Sequence, residues 1–250
     1  MELDINGAKI LFTLPIDLPV LGPLRISETM VVSWIVMILI TGFCIWLTHD
    51  LKEENKRQAL AEMLVEMANK FVVGNMGEKF RYMIPFVAAL FATSVVSNLI
   101  SLVGLRSPTS DLSTEAAWAV VVFIMITAQK IKTSGFGGYL KGFTQPIPVM
   151  TPFNILSELA TPVSMACRHF GNILSGVVIN GLIYGALAVA SSALLGLIPG
   201  ALGDVLSKIP ILDVGVPAIT SVYFDWFSGV MQAFIFCMLT VMYIANAAEE

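Results

Sequence analysis

Arg168 is the residue whose chemistry first needs explaining. It lies in TPVSMACRHFGNILSG, inside an apolar segment running from Pro152 to Ala188, and its nearest acidic residue in sequence is Glu158. A charge carried into a bilayer costs about 2.5 to 3.5 kcal/mol on insertion scales, so an arginine there without a local partner reads as functional. On a helix, at about 100° per residue, Thr161, Ser164, Asn172 and Ser175 all fall within about 40° of it. They make a polar stripe along an otherwise apolar surface, with Pro162 placing a kink beside Thr161. Small hydroxyls on such a stripe can simply join helices in a membrane. An arginine and an asparagine in the same line point instead to a hydrated pathway or an ion-handling surface.

A second polar face lies near the C-terminus. If residues 216–248 are helical, Ser221, Gly229, Gln232 and Tyr243 fall within about 40° of Asp225. Asp225 enters that helix about 13 Å from its first residue, deep enough for its charge to be costly. A carboxylate so placed suits a proton relay. The competing reading is a wet interface at which Asp225, next to Trp226, anchors the helix end. Two long apolar segments thus carry opposite charges on polar faces.

Composition says what must hold these faces. The chain has 250 residues, 56% of them hydrophobic and 13% charged. Soluble domains carry about 25% charged residues, so this is an integral membrane protein. The fold class expected is all-α, with about five membrane helices plus one amphipathic helix at the surface. Its net charge of −4 is dispersed, with no basic block for nucleic acid. Cys44, Cys167 and Cys237 sit singly in apolar segments and read as small hydrophobes; no metal or haem motif occurs, and no cofactor is implied. The N-terminal MELDINGAKILFTLPIDLP has no basic stretch leading into an apolar core, so it is expected to be an exposed segment and not a leader.

Read in order, residues 1–29 form an outer segment and 30–48 a first span, with Trp34 and Trp46 at interfacial depths. Residues 53–80 carry Leu60, Met63, Leu64, Met67 and Phe71 at helical spacing among charges, the pattern of an amphipathic helix lying on a membrane or a partner. Spans are expected at 84–103, with Pro85 in the first turn, and at 112–130, with Asp111 as cap. Its apolar core, 116–129, is short for a crossing. The KIKTSGFGGYLKGFTQPIPVMTP stretch reads as a loop closed by Pro146, Pro148 and Pro152, which exclude regular helix before the Arg168 segment. Residues 152–188 form the Arg168 helix, whose apolar character runs on and requires strong tilt or a break near the glycines. An outer loop over 199–215 and a long final helix over 216–248 complete the chain. With five crossings, Lys52, Lys56, Arg57, Lys70, Lys79, Arg81, Lys130, Lys132 and Lys141 share one side, against Lys9, Arg25, Arg106 and Lys208 on the other. The positive-inside rule then puts the N-terminus outside and the C-terminus in the cytoplasm.

Three classes of function fit such a chain: an ion-conducting part of a larger assembly, a self-contained ion-coupled transporter or channel, and a membrane enzyme. No nucleophile and base stand at motif spacing, which disfavours the enzyme. No repeat relates the halves, which disfavours the transporter.

The segments PVSMACRHFGNILSG, PTSDLS and QAFIFCMLTVMYIANAAEE together resemble subunit a of the F-type ATP synthase, in order and spacing over most of the chain. The resemblance implies a stator subunit set against a rotating ring of c subunits and held by peripheral-stalk b subunits in the lipid bilayer of the cell's inner (plasma) membrane. Two offset half-channels would lead H+ or Na+ to and from the ring carboxylates. Arg168 matches the family's essential arginine, Asn172 and Gln232 its asparagine and glutamine, and Ser164 a serine on the stripe. Thr161, Ser175, Ser221, Tyr243 and Glu158 are candidate half-channel lining. Where the familiar bacterial pattern has a glutamate nine residues after the arginine, this chain has Val177; where it has a histidine seven residues before the glutamine, this chain has Asp225. The resemblance therefore places the channel-mouth carboxylate at Asp225. His169 stands about 100° from Arg168 and is expected to pack between helices. No phosphate-binding glycine loop is present, so this chain is expected to guide ions without binding or hydrolysing ATP.

Overall fold

The computed structural model describes residues 9–18, 22–49, 56–195, 220 and 222–249. Among these, helices dominate, and five helical stretches are long and apolar enough to cross a membrane. The sequence-based outer loop over 199–215 and Ser221 lie outside the described residues.

The first ordered element is a hairpin that composition had not suggested. Strand β1, Ile10–Leu18, pairs antiparallel with β2, Gly22–Ser27, in the register Ile10 to Ser27 and Leu18 to Gly22. It leads directly into α1, Glu28–Thr48, where Ser27 Oγ accepts from Met30 N and caps the helix. Most of α1 shows apolar side chains outward, Ile38 being 71% exposed. Such a surface suits lipid, which is as apolar as the side chains themselves.

Helix α2, Lys56–Met76, is charged along its first four turns and buries Val72 and Met76 at its end. Its apolar residues Leu60, Met63, Leu64 and Met67 stay exposed, so that face is not covered by the described residues. A 3-10 segment, Glu78–Met83, turns the chain into α3, Ile84–Leu99, with Pro85 in its first turn. Gly104 ends the short 3-10 continuation at φ 81°, where a side chain would be strained.

Helix α4, Leu112–Gly142, starts at Asp111, whose side chain accepts from Ser113 N. The same carboxylate accepts from Thr29 Oγ1 at 2.9 Å, tying α1 to the start of α4. The helix does not stop near residue 130. It continues with a kink at Gly135, where φ is 74° and ψ 163°, and the expected loop over 130–152 shrinks to the residues after Gly142. The apolar run ends at Gln129, but backbone hydrogen bonding needs no apolar side chains, and Lys130, Lys132 and Lys141 are compatible with a helix outside lipid.

Helix α5, Thr151–Leu195, is 45 residues long and passes through Pro162 and its glycines without a break. At about 1.5 Å per residue it is about 68 Å long, more than twice a hydrocarbon thickness of about 30 Å. The last helix, α6, covers Gly229–Asn246 and is preceded by a π-helical stretch, Val222–Ser228.

One apolar core gathers the ends of these elements. It includes Met76, Phe80, Val87, Val122, Met165, Phe236 and Ile244, and α6 is the most enclosed helix. A smaller cluster joins Val32 and Val36 of α1 to Ile100.

Candidate ion-handling site

Helix α5 has a buried face and an open face, and the division explains its sequence. Met165, Ala166, His169, Gly176 and Asn180 are buried, at spacings of three, four and seven from His169 or from one another that keep them on one side. Arg168, Ser164 and Ser175 lie on the exposed side. Arg168 makes no ion pair with any described residue, and a guanidinium keeps its charge throughout the working pH range. A cation on a membrane-length helix, unpaired among the described residues, is costly unless something beyond them meets it.

The hydroxyls of the stripe are engaged locally. Ser175 Oγ donates to Gly171 O at 2.6 Å, and Thr161 Oγ1 to Ser157 O at 3.2 Å. Their protons are used on their own helix, while their oxygen lone pairs can still accept from water.

Asn172 lies at the border of the two faces and reaches α6. Its Nδ2 is 3.4 Å from Gln232 Oε1, and its Oδ1 accepts from Ser228 Oγ at 2.9 Å. Gln232 is 4% exposed, so this is a polar bridge inside the protein. The bridge brings together two residues 60 apart in sequence that the separate polar faces had singled out.

Behind it runs a second buried polar cluster that sequence reading missed. Asn98 Nδ2 donates to Gly229 O at 2.8 Å, and Asn98 Oδ1 accepts from Thr109 Oγ1 at 2.5 Å. Ser107 Oγ in turn donates to Ser97 O at 2.6 Å. The PTSDLS turn is thereby fastened to α3 and to the first residue of α6. Asn98 gave no local signal, because an asparagine near a helix end is an ordinary sequence feature.

At the other end of α5, Glu158 pairs with Lys130 of α4, Oε2 to Nζ at 3.0 Å, both about one-fifth exposed. With Thr161 and Tyr243 they line a cavity of about 270 Å³ between α4, α5 and α6. Thr161, Glu158 and Tyr243 are thus brought together, on the two helices that also carry Asn172 and Gln232. Asp225 lies in the π-helical stretch, and its side chain is outside the described residues. That stretch turns by less than 100° per residue, so the α-helical wheel linking Asp225 to Gln232 does not apply across it.

His169 faces inward, as its angle from Arg168 required, but its neighbour was not foreseen. Its Nδ1 stands 3.1 Å from Oε2 of Glu115 in the first turn of α4, and both side chains are wholly buried. The available signal was one acid inside an apolar helix and one histidine inside another.

A predominantly helical polytopic membrane protein with an open arginine on one long helix and a polar bridge to the next belongs to the class that handles ions within the bilayer. The family profile described as ATP synthase A chain matches residues 30–245, and the chain belongs to that family. It is 33% identical to ATP synthase subunit a 1 of Prosthecochloris aestuarii, over 92% of this chain and 93% of that protein. It is 34% identical to ATP synthase subunit a of Moorella thermoacetica, over 93% and 95% respectively. The sodium ion specific ATP synthase subunit a of Propionigenium modestum is 29% identical, over 98% of this chain and 86% of the relative.

Proposed function

We propose that this chain is the ion-translocating stator subunit of an F-type ATP synthase, non-catalytic itself, and that Arg168 meets the carboxylates of a c-subunit ring one after another. The observation that carries the reading is Arg168 itself: a permanent cation on the open face of α5, unpaired among the described residues. On this reading its partner is on another chain. A guanidinium attracts each ring carboxylate as it loses its ion, and because it does not release its proton it blocks direct leakage between the two half-channels. The Asn172–Gln232 bridge holds α5 and α6 together beside it. The Glu158, Thr161 and Tyr243 cavity fits a water-filled approach from the cytoplasmic side, and Asp225 a carboxylate on the outer approach. The N-terminus lies outside and the C-terminus in the cytoplasm, with α2 along the cytoplasmic surface near the b subunits. Each charge crossing releases about 2.3 kcal/mol per 100 mV, the energy that this subunit would direct into rotation.

The decisive test is Arg168→Ala in the reconstituted complex. ATP-driven H+ or Na+ pumping should be lost while the complex still assembles. Undiminished pumping, or transport by this chain in liposomes without any c subunit, would overturn the reading. Asp225→Asn should also abolish pumping; intact pumping would remove Asp225 from the path.

A further inference from the structure

The buried Glu115–His169 pair is not used by the ion path above. Two ionisable groups without exposure are expensive to bury, and removing one partner of such a pair is far more damaging than replacing both by apolar groups. His169 is enclosed on its remaining sides by rings: Trp118, one turn after Glu115 on α4, with centroids 6.4 Å apart, and Phe236 of α6, 5.7 Å away. Nδ1 and Oε2 stand 3.1 Å apart, within ion-pair distance. The imidazole is therefore fixed on three sides, by one acid and two aromatic faces, and α5 cannot turn against α4 without separating the acid from the base in an apolar interior.

The consequence falls on the adjacent residue. Arg168 precedes His169 by one position, about 100° around the same helix, and a helix transmits rotation rigidly over one residue. A guanidinium reaches about 8 Å from the helix axis, so a 10° turn of α5 moves it by about 1.4 Å. Displacements of about 1 Å at a reacting group can lower rates by about a hundredfold. The pair also commits the Glu115 carboxylate to His169, so that this acid is not available to Arg168.

We propose that Glu115 is a positioning residue for Arg168: through His169 it sets the angle at which α5 presents the arginine. The proposal rests on the reading of Arg168 as facing a c ring, and the test separates the two. Complexes carrying a single cysteine on α5 are cross-linked to a cysteine placed beside the ring carboxylate. One chain uses Ser164→Cys with Cys167→Ser, about 40° from Arg168, and the other native Cys167, about 100° away. With Glu115 intact, the Ser164→Cys chain should cross-link several-fold better than the Cys167 chain. Glu115→Gln, which keeps size and loses charge, should change that ratio about threefold or more and lower pumping per assembled complex about tenfold, while Glu115→Asp should restore both in large part. If Glu115→Gln does not assemble, Glu115→Leu with His169→Leu is read instead, since an apolar pair tolerates burial, and the same change of ratio is expected. An unchanged ratio in whichever variant assembles overturns the positioning role alone. No cross-linking to the ring at either position with Glu115 intact overturns both the ring-facing reading and this inference.

Discussion

Asn98 and Gly229 form the tightest junction between α3 and α6, and their disruption can be worked from distances. A Cβ built on Gly229 would lie 3.0 Å from Asn98 Cβ and 3.4 Å from its Cγ and Nδ2. Neither helix can yield easily, because Asn98 is held at the other side by Thr109. Gly229→Ala is therefore an overpacking change costing about 1 to 3 kcal/mol. Asn98→Ala removes two buried hydrogen bonds, at about 1 kcal/mol each, and leaves a small void, for about 2 to 4 kcal/mol together. The two sites share one contact, so the double variant should cost less than the sum by about 0.5 kcal/mol or more. Denaturation of the detergent-purified chain by increasing SDS, followed by helical circular dichroism, gives all three values. A Gly229→Ala chain as stable as the unmodified one would refute the close packing of Asn98 on Gly229.

Three further expectations follow from the other polar contacts. Lys130→Gln and Glu158→Gln should each destabilise the chain by about 1 to 3 kcal/mol, less than for a fully buried pair because both partners are partly solvated, and the exchanged pair Lys130→Glu with Glu158→Lys should recover part of the loss in the same denaturation assay. Asn172→Leu and Gln232→Leu should each slow ATP-driven pumping, and a double-mutant cycle on stability should show coupling of about 0.5 to 1 kcal/mol, modest because the amide contact is long at 3.4 Å. On α2, the hydrogen bond and charge of Lys70 hold Glu66 below the usual carboxylate range. A depressed folded pKa supports the helix above the unfolded value and loses that support as pH falls through the folded one. Side-chain NMR titration of Glu66 should therefore show its midpoint rising in Lys70→Met, and less so in high salt.

The parts of this molecule that were legible in the sequence are those governed by local periodicity and solvent. Lipid demands long apolar runs whose backbone is satisfied internally, and that requirement alone marks the helical spans and the amphipathic stretch between the first two. Cap chemistry at Asp111 and proline at Pro85 act within one turn of their own positions, and both stand where their types predicted. The open position of Arg168 and the inward position of His169 likewise follow from a fixed angle on one helix.

What only the tertiary structure decided concerns partners, and departures from the ideal helix. Glu115 with His169, Lys130 with Glu158, and Asn98 with Gly229 are separated by 54, 28 and 131 residues respectively. No helical wheel relates residues on different helices, because the wheel has no information about which faces meet or at what height. The kink at Gly135, the continuation of α4 beyond its apolar run, and the π-helical stretch holding Asp225 are likewise departures that no apolar period marks. The fold therefore adds to Arg168 what its own segment could not supply: a buried acid on the neighbouring helix that fixes the histidine beside it, and through that histidine the direction in which the charge faces.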